Sequence, residues 1–268
     1  MLPATTKTTS TLLRVFLAAL LLFSLQFTYA QEPVVTAGSL RAGNTVSGAF
    51  KYGRRVITLP AGKWRVIHHA ERNSSASGGG ATMLDITFDE ILEGRLNRLL
   101  TISATKQSDN LNWVDEPCKT LGDSYWIDDR KRSLNDQFCI RIGYLSGIVD
   151  GSRGEVFQAW ARDIVSAGTK YSSDMPFIIV TKYTPYDCLV MRVAFNPRPY
   201  GIPKSKKSAR AFNDWNVKVV AQNPARENFY EALKNWAPVY ATAVARAFDG
   251  DVTLTPQDFA EPVFSQSK

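Results

Sequence analysis

The side chains best suited to acid–base chemistry are a pair of aspartates and a pair of histidines. Asp128 and Asp129 precede a run of three basic residues and follow two aromatic ones, and His68 and His69 are the only histidines in the chain. Two carboxylates can act as acid and base on a glycan, with aromatic rings stacking on the sugars. Local ion pairs on a solvated loop are the competing interpretation, because such pairs are common. His68, Asp128 and Asp129 are therefore weak candidates for the catalytic residues of a hydrolase.

The adjacent histidines do not form an obvious metal site. Successive side chains of a strand point to opposite faces, so His68 and His69 could bind one metal ion only if a bulge or break interrupted the strand. The alternation predicts that His68 shares a face with Val66, and His69 with Ile67. The sequence contains no HExxH motif, no HxH motif and no aspartate-rich calcium loop. We therefore expect no metal and no other cofactor.

The three cysteines have two different predicted roles. Cys118 and Cys139 bracket a loop-rich stretch, and in an oxidising compartment a pair this close in sequence indicates a disulfide. Closing a loop of about 20 residues would stabilise the fold by roughly 3 kcal/mol. Cys188 lies in an alternating apolar segment without a histidine nearby in sequence, so we expect a partly buried free thiol. No GxSxG motif indicates a serine nucleophile.

A basic segment follows the last predicted strand. It covers residues 198–210 and contains Lys204, Lys206, Lys207 and Arg210 among several prolines, a composition typical of an irregular connection. Clustered cations of this kind can contact an anionic envelope component or an acidic protein. A solvated connector with no partner is the alternative interpretation.

The first thirty residues have the composition of a secretory signal peptide. Lys7 and Arg14 are their only charges, residues 15–27 are almost entirely apolar, and the stretch ends in small residues before a predicted cleavage site after Ala30. We therefore expect residues 1–30 to be removed and the protein to be exported, either to the periplasm or into the medium.

Two other interpretations of this leader are less consistent with its sequence. An uncleaved anchor needs about 20 apolar residues, which is longer than the run found here. A lipoprotein needs a cysteine directly after the cleavage site, where this chain has Gln31. No later segment is long and apolar enough to span a bilayer. We therefore expect a soluble mature chain without a transmembrane segment.

Removal of the leader changes the charge and the expected partners. The full chain has a formal net charge of +7, and the mature chain, with 30 basic and 25 acidic residues, has +5. Because an exported protein seldom meets nucleic acid, this mild excess of positive charge favours anionic lipids, polymers or acidic proteins as partners. Residues 31–268 fit one globular domain, which at this size buries roughly 70% of the surface of the unfolded chain. The oligomeric state stays open.

Alternating apolar residues and turn signals predict strands in antiparallel pairs. Three hairpins are expected, each with glycine or proline in its turn. The paired segments are residues 54–59 with 63–70, residues 81–91 with 95–104, and residues 177–182 with 188–195.

Two helices are predicted from the spacing of apolar residues. The first covers residues 155–167 and ends at Gly168. The second begins at Asn223 as the N-cap and is expected to kink or break at Pro238 before it resumes. The predicted fold is therefore α+β, with an antiparallel sheet of about six strands packed with two main helices.

These features favour a non-enzymatic exported protein that binds a ligand or partner at the cell envelope. The alternative is an exported hydrolase acting on glycan or another envelope polymer. One structural observation separates the two classes. A histidine and two carboxylates converging in one concave pocket would favour the hydrolase, and their dispersal over the surface would not.

Overall fold

The described part of the chain begins after the predicted leader. The computed structural model describes residues 35–74, 81–108, 124–133, 136–148, 155–205 and 213–264. All of them belong to the compact unit that starts at Val35. Several predicted features lie outside the described residues: the leader with its cleavage site after Ala30, Cys118, Lys206, Lys207 and Arg210. No helix within the described ranges is long and apolar enough to cross a membrane.

Eleven strands are found among the described residues, and eight of them form one antiparallel sheet. In chain order they are β1 Val35–Thr36, β2 Thr45–Val46, β3 Ala49–Tyr52, β4 Arg55–Thr58, β5 Trp64–Ser74, β6 Ala81–Leu92, β7 Arg95–Ser108, β8 Trp126–Ser133, β9 Asp136–Leu145, β10 Met175–Thr184 and β11 Asp187–Phe195. The order in the large sheet is β2-β5-β6-β7-β11-β10-β9-β8. The predicted α+β class with an antiparallel sheet is confirmed, with eight strands in the sheet rather than about six.

Two of the three predicted hairpins are confirmed. Strands β6 and β7 pair around a tight turn in which Glu93 and Gly94 have φ of 51° and 67°. Strands β10 and β11 pair from Phe177 to Thr184. In β6, alternate residues such as Leu84 are fully buried on one face of the sheet, as the period of two requires.

The third predicted hairpin, residues 54–59 with 63–70, is wrong. Strand β4 pairs with β3 in a separate small sheet of order β1-β3-β4, whereas β5 pairs with β2 and β6 in the large sheet. The proline and glycine between them carry the chain from one sheet to the other. The indole nitrogen of Trp64 donates to the carbonyl of Pro60 at 2.7 Å and fixes this connection. A turn composition alone does not show which strands pair across it.

Strands β8 and β9 were not predicted, because their segment was interpreted as a loop. They form an antiparallel hairpin at the edge of the large sheet. The sequence of β8, WIDDRKRS, has five charged residues in succession, so it lacks the alternation of apolar and polar residues by which a strand is recognised. Charged side chains are usual on edge strands because they discourage pairing with another chain.

The two predicted helices are present and lie on opposite faces of the large sheet. Helix α1 is Glu155–Ser166, a short helix α2 is Val217–Val220, and helix α3 is Pro224–Asp249. Helix α3 packs on the face that contains Leu84, Ile86 and Phe88, whereas α1 packs with Leu99 and Ala194 on the other face.

Helix α3 has the predicted N-terminus but no break. The side chain of Asn223 accepts a hydrogen bond from the backbone nitrogen of Arg226 at 3.2 Å, which is the expected N-cap. The helix continues through Pro238 as far as Asp249, so of the two predicted outcomes, a kink or a break, the break does not occur. Burial of residues such as Tyr240 and Val244 beyond the proline stabilises the second half of the helix.

Candidate functional site

A cavity at one end of the large sheet is lined mainly by positively charged side chains. Its volume is about 580 Å³, within the range of small-molecule sites. Its described lining residues are Arg95, Thr169, Lys170, Tyr171, Asn196, Arg198 and Lys204. Four of these seven residues are cationic and none is acidic. We call this cavity the cationic pocket.

The backbone places two of the cations side by side. Arg95 begins β7, and Lys170 lies in the segment that follows α1. The backbone nitrogen of Lys170 donates to the carbonyl of Gly94, and that of Leu96 donates to the carbonyl of Lys170, both at 2.9 Å. These bonds form an isolated parallel bridge between Arg95 and Lys170. Like charges opposite each other across such a pairing repel, so this arrangement favours an anion between or above them.

Asn196 lines the cationic pocket and connects two of its backbone segments. It is fully buried, and its side-chain nitrogen donates to the carbonyl of Leu96 at 2.6 Å. Its side-chain oxygen accepts from the backbone nitrogen of Arg198 at 3.1 Å. The end of β11 is thereby joined to the start of β7, and Arg198 is fixed close to the Arg95–Lys170 bridge.

The four cations of the pocket form no ion pair in the described part of the chain. Arg95, Lys170, Arg198 and Lys204 are not ion-paired with any residue in the described ranges, although many other cations are. The buried carboxyl of Asp174 interacts electrostatically with Lys204 without forming an ion pair with it. Burial raises the pKa of Asp174, although a hydrogen bond from Asn213 at 3.0 Å opposes that change.

Two hydroxyl groups complete the polar lining of the pocket. Thr169 is almost fully buried and Tyr171 is half-buried. Neither hydroxyl forms a hydrogen bond with a residue in the ranges that the structure covers, so both are available to a bound molecule. The ring of Tyr171 also packs against the hydrophobic cluster beneath α1.

Of the described residues that line the cationic pocket, two belong to the predicted basic segment: Arg198, at its start, and Lys204, which was named as a contact residue. Arg95 and Lys170 were not predicted, because they come from two other segments and neither lies in a run of charge. Only the strand order, which places the start of β7 beside the end of β11, brings them together.

The histidine among the three hydrolase candidates lies far from the two aspartates along the sheet. His68 lies on β5, and Asp128 and Asp129 lie on β8. Strands β6, β7, β11, β10 and β9 separate the two positions. At about 4.8 Å per strand, this corresponds to roughly 29 Å along the sheet. Asp128 is paired with Arg130 at 2.9 Å. The fold therefore does not assemble these residues into one catalytic group.

A bulge changes the predicted faces of the two histidines. Val66 pairs with Phe88, but His68 pairs with Thr87, so Ile67 is an extra residue in β5. After this shift His69 lies opposite Ile86, on the same face as Val66, and the predicted assignment of faces is wrong. Burial lowers the pKa of His69. Within the described residues, no group of three His, Cys, Asp or Glu side chains could hold a metal ion.

The structure describes two of the three cysteines, Cys139 and Cys188. Cys139 is buried on β9, and because Cys118 is outside the described residues, their disulfide stays a prediction. Cys188 is a free thiol, more deeply buried than expected, with a backbone nitrogen that donates to the Thr105 hydroxyl at 2.9 Å. Burial raises the pKa of Cys188 to about 12, which makes a thiolate nucleophile at neutral pH unfavourable.

A second cavity, of about 510 Å³, lies near the other end of β7. It differs from the cationic pocket because most of its charged residues form ion pairs with one another or with nearby residues. Arg55 forms an ion pair with Asp187, which also accepts a hydrogen bond from Thr105 at 2.8 Å. Asp249 pairs with Lys182 at 2.8 Å. The cationic pocket differs because its cations form no ion pair with any residue that the structure describes.

Comparisons with known proteins assign neither a family nor a function to this chain. The chain matches no protein-family model, no curated protein and no solved structure. Function is therefore inferred from the geometry and charge of the cationic pocket.

Proposed function

We propose that the mature chain is an exported protein that binds an anionic ligand in the cationic pocket without transforming it. The observation that carries this proposal is the convergence of Arg95, Lys170, Arg198 and Lys204 on one cavity with no acidic residue among its described lining. An anion in the cavity would interact with all four cations and relieve their mutual repulsion.

The size of the cavity favours a small ligand or one group of a polymer. A volume of about 580 Å³ accommodates a sugar, a small organic acid or a headgroup. An acidic protein, the other partner considered from sequence, would contact the exposed lysines at the rim but would leave the interior unfilled. Export by the predicted signal peptide is consistent with this proposal, because an exported protein would meet anionic envelope components.

A binding role is favoured over catalysis by the composition of the pocket. Its described lining contains no carboxylate, no histidine and no cysteine that could act as a base or nucleophile. The hydrolase alternative rests on His68, Asp128 and Asp129, and the sheet order gives it no support.

A charge-reversal experiment tests the proposal. The double variant K170E/K204E changes two exposed side chains, and K51E serves as a matched control because Lys51 is exposed on β3 and does not line the pocket. Thermal unfolding of the mature chain is followed with phosphate, sulfate, citrate and an acidic glycan. We expect at least one anion to raise the Tm of the wild type and K51E but not that of the double variant. Equal responses in all three proteins, or none in the wild type, would contradict the proposal.

Export is tested separately. We expect the protein isolated from the periplasm or medium of its source to begin at Gln31, as measured by intact mass. A chain that retains Met1 would contradict cleavage of the leader.

A further inference from the structure

We infer that the group held in the cationic pocket is a phosphate monoester. This inference rests on the proposed anion-binding function and names the chemical class of the ligand. It is carried by the hydrogen-bonding character of the lining, the number of cations and the placement of the two arginines.

The available polar groups of the pocket are donors. Arginine and lysine side chains donate hydrogen bonds and cannot accept them. The hydroxyls of Thr169 and Tyr171 can also donate, and neither is engaged by a described residue. Asn196, the one amide among the described lining residues, already uses its oxygen to accept from the backbone nitrogen of Arg198. A ligand that satisfies this lining must therefore present several acceptors and few donors.

A phosphate monoester meets this requirement better than a carboxylate. It has three terminal oxygens and a charge of about −1.5 to −2 near pH 7. A carboxylate has two oxygens and a single charge. Because four cations that form no ion pair with a described residue line the pocket, a dianionic group leaves less uncompensated positive charge.

The two arginines reach the pocket from different segments of the chain. Arg95 belongs to the backbone bridge with Lys170, whereas Arg198 follows the end of β11, where its backbone nitrogen donates to the side-chain oxygen of Asn196. A guanidinium presents a planar set of donors that matches phosphate oxygens in pairs, and a lysine contributes a point charge. Arginine and lysine should therefore not be interchangeable at residues 95 and 198.

The rest of the ligand has room beside the phosphate. The cavity is several times larger than a phosphate group, and the half-buried Tyr171 adds an aromatic surface to its wall. A sugar phosphate or the phosphate headgroup of a lipid would both present the same chemistry to the pocket.

Isothermal titration calorimetry of the mature chain tests the inference. The soluble probes are glucose 1-phosphate, inorganic phosphate, sulfate, acetate and succinate. We expect the phosphates to bind at least about tenfold more tightly than the carboxylates, because an additional charged hydrogen bond contributes about 1.5 kcal/mol or more. R95K and R198K should each weaken phosphate binding several-fold, and R95A and R198A about tenfold. K51A should bind like the wild type.

The outcomes separate the inference from the proposed function. Carboxylates that bind as tightly as phosphates, with loss of binding in K170E/K204E, would overturn the phosphate assignment and leave anion binding supported. If no anion binds, both fail. Equal affinities of R95K, R198K and the wild type for phosphate would also overturn the assignment, and these variants preserve charge and are expected to fold.

Vesicles distinguish the two sources of a phosphate monoester. Phosphatidic acid in phosphatidylcholine carries a monoester, whereas phosphatidylglycerol carries a diester with one negative charge. We expect binding to phosphatidic acid vesicles to exceed binding to phosphatidylglycerol vesicles if the ligand is a lipid headgroup. Binding of glucose 1-phosphate without vesicle binding supports a soluble ester. Stronger binding to the diester than to either monoester would overturn the inference.

Discussion

The indole nitrogen of Trp160 donates a hydrogen bond to the buried carboxylate of Asp89 at 2.7 Å and so ties α1 to the large sheet. Asp89 is fully buried and also accepts from Arg65 at 2.9 Å. Since the segment after α1 forms a wall of the cationic pocket, this contact helps to position Lys170 as well as the helix.

Removal of this hydrogen bond should destabilise the fold. W160F keeps most of the buried ring but leaves one acceptor site of the Asp89 carboxylate unsatisfied. We expect the free energy of unfolding to fall by about 2 kcal/mol, because the acceptor is charged and buried. Urea denaturation measures the change, and F157L, which alters a partly buried neighbour without this hydrogen bond, is the comparison. An unchanged midpoint for W160F would show that the contact contributes nothing.

The cysteines should show three distinct levels of reactivity. We expect no thiol to react with Ellman's reagent in the native protein at pH 8, because Cys188 is buried and its pKa is raised to about 12. Unfolding without reductant should expose one thiol, and unfolding with reductant should expose all three cysteines of the chain. Three reactive thiols without reductant would rule out the Cys118–Cys139 disulfide.

Asp174 should make stability depend on pH in a defined direction. Burial raises its pKa in the folded state above the value of about 3.9 for an unfolded aspartate. Between these two pKa values the folded state binds more protons, so the Asp174 contribution to stability falls as pH rises. The Tm of D174N minus that of the wild type should therefore increase from pH 3.5 upwards and level off above the folded pKa. A difference that decreases over this range would contradict the assignment.

Pro238 should limit the stability of α3. It is exposed in the middle of the helix, where proline is about 3 kcal/mol less favourable than alanine. P238A restores a backbone donor, and we expect it to raise the free energy of unfolding by at least about 1 kcal/mol. P224A is the control, because the first turn of a helix tolerates proline and little change is expected there. A fall in stability for P238A would show that α3 requires the proline geometry.

Local patterns predicted the parts of the fold that local interactions determine. The β6–β7 turn, the Asn223 cap and the end of α1 near Gly168 all follow from residues close in sequence. The pairing of β4 does not, because the same proline and glycine can connect two strands of one sheet or of two sheets. The bulge at Ile67 could not be predicted either, since one extra residue in a strand does not change the amino-acid composition of the segment.

The candidate site was predictable only in part, for a related reason. Lys204 lies in a run of basic residues and was recognised from its neighbours. Arg95 and Lys170 are isolated cations in their own segments, and their charges combine with those of the basic segment only when β7, β11 and the segment after α1 meet. Sites built across distant strands depend on strand order, which the alternation of side chains does not encode.

NMR can detect whether an anion binds in the cationic pocket and which residues it contacts. Backbone amide signals of the mature chain are followed while inorganic phosphate is added at constant ionic strength. We predict saturable shifts centred on Lys170, Tyr171, Asn196 and Arg198, and their loss in K170E/K204E but not in K51E. Shifts without saturation, or shifts centred on Arg54 and Lys106 at the other cavity, would contradict the assignment of the site.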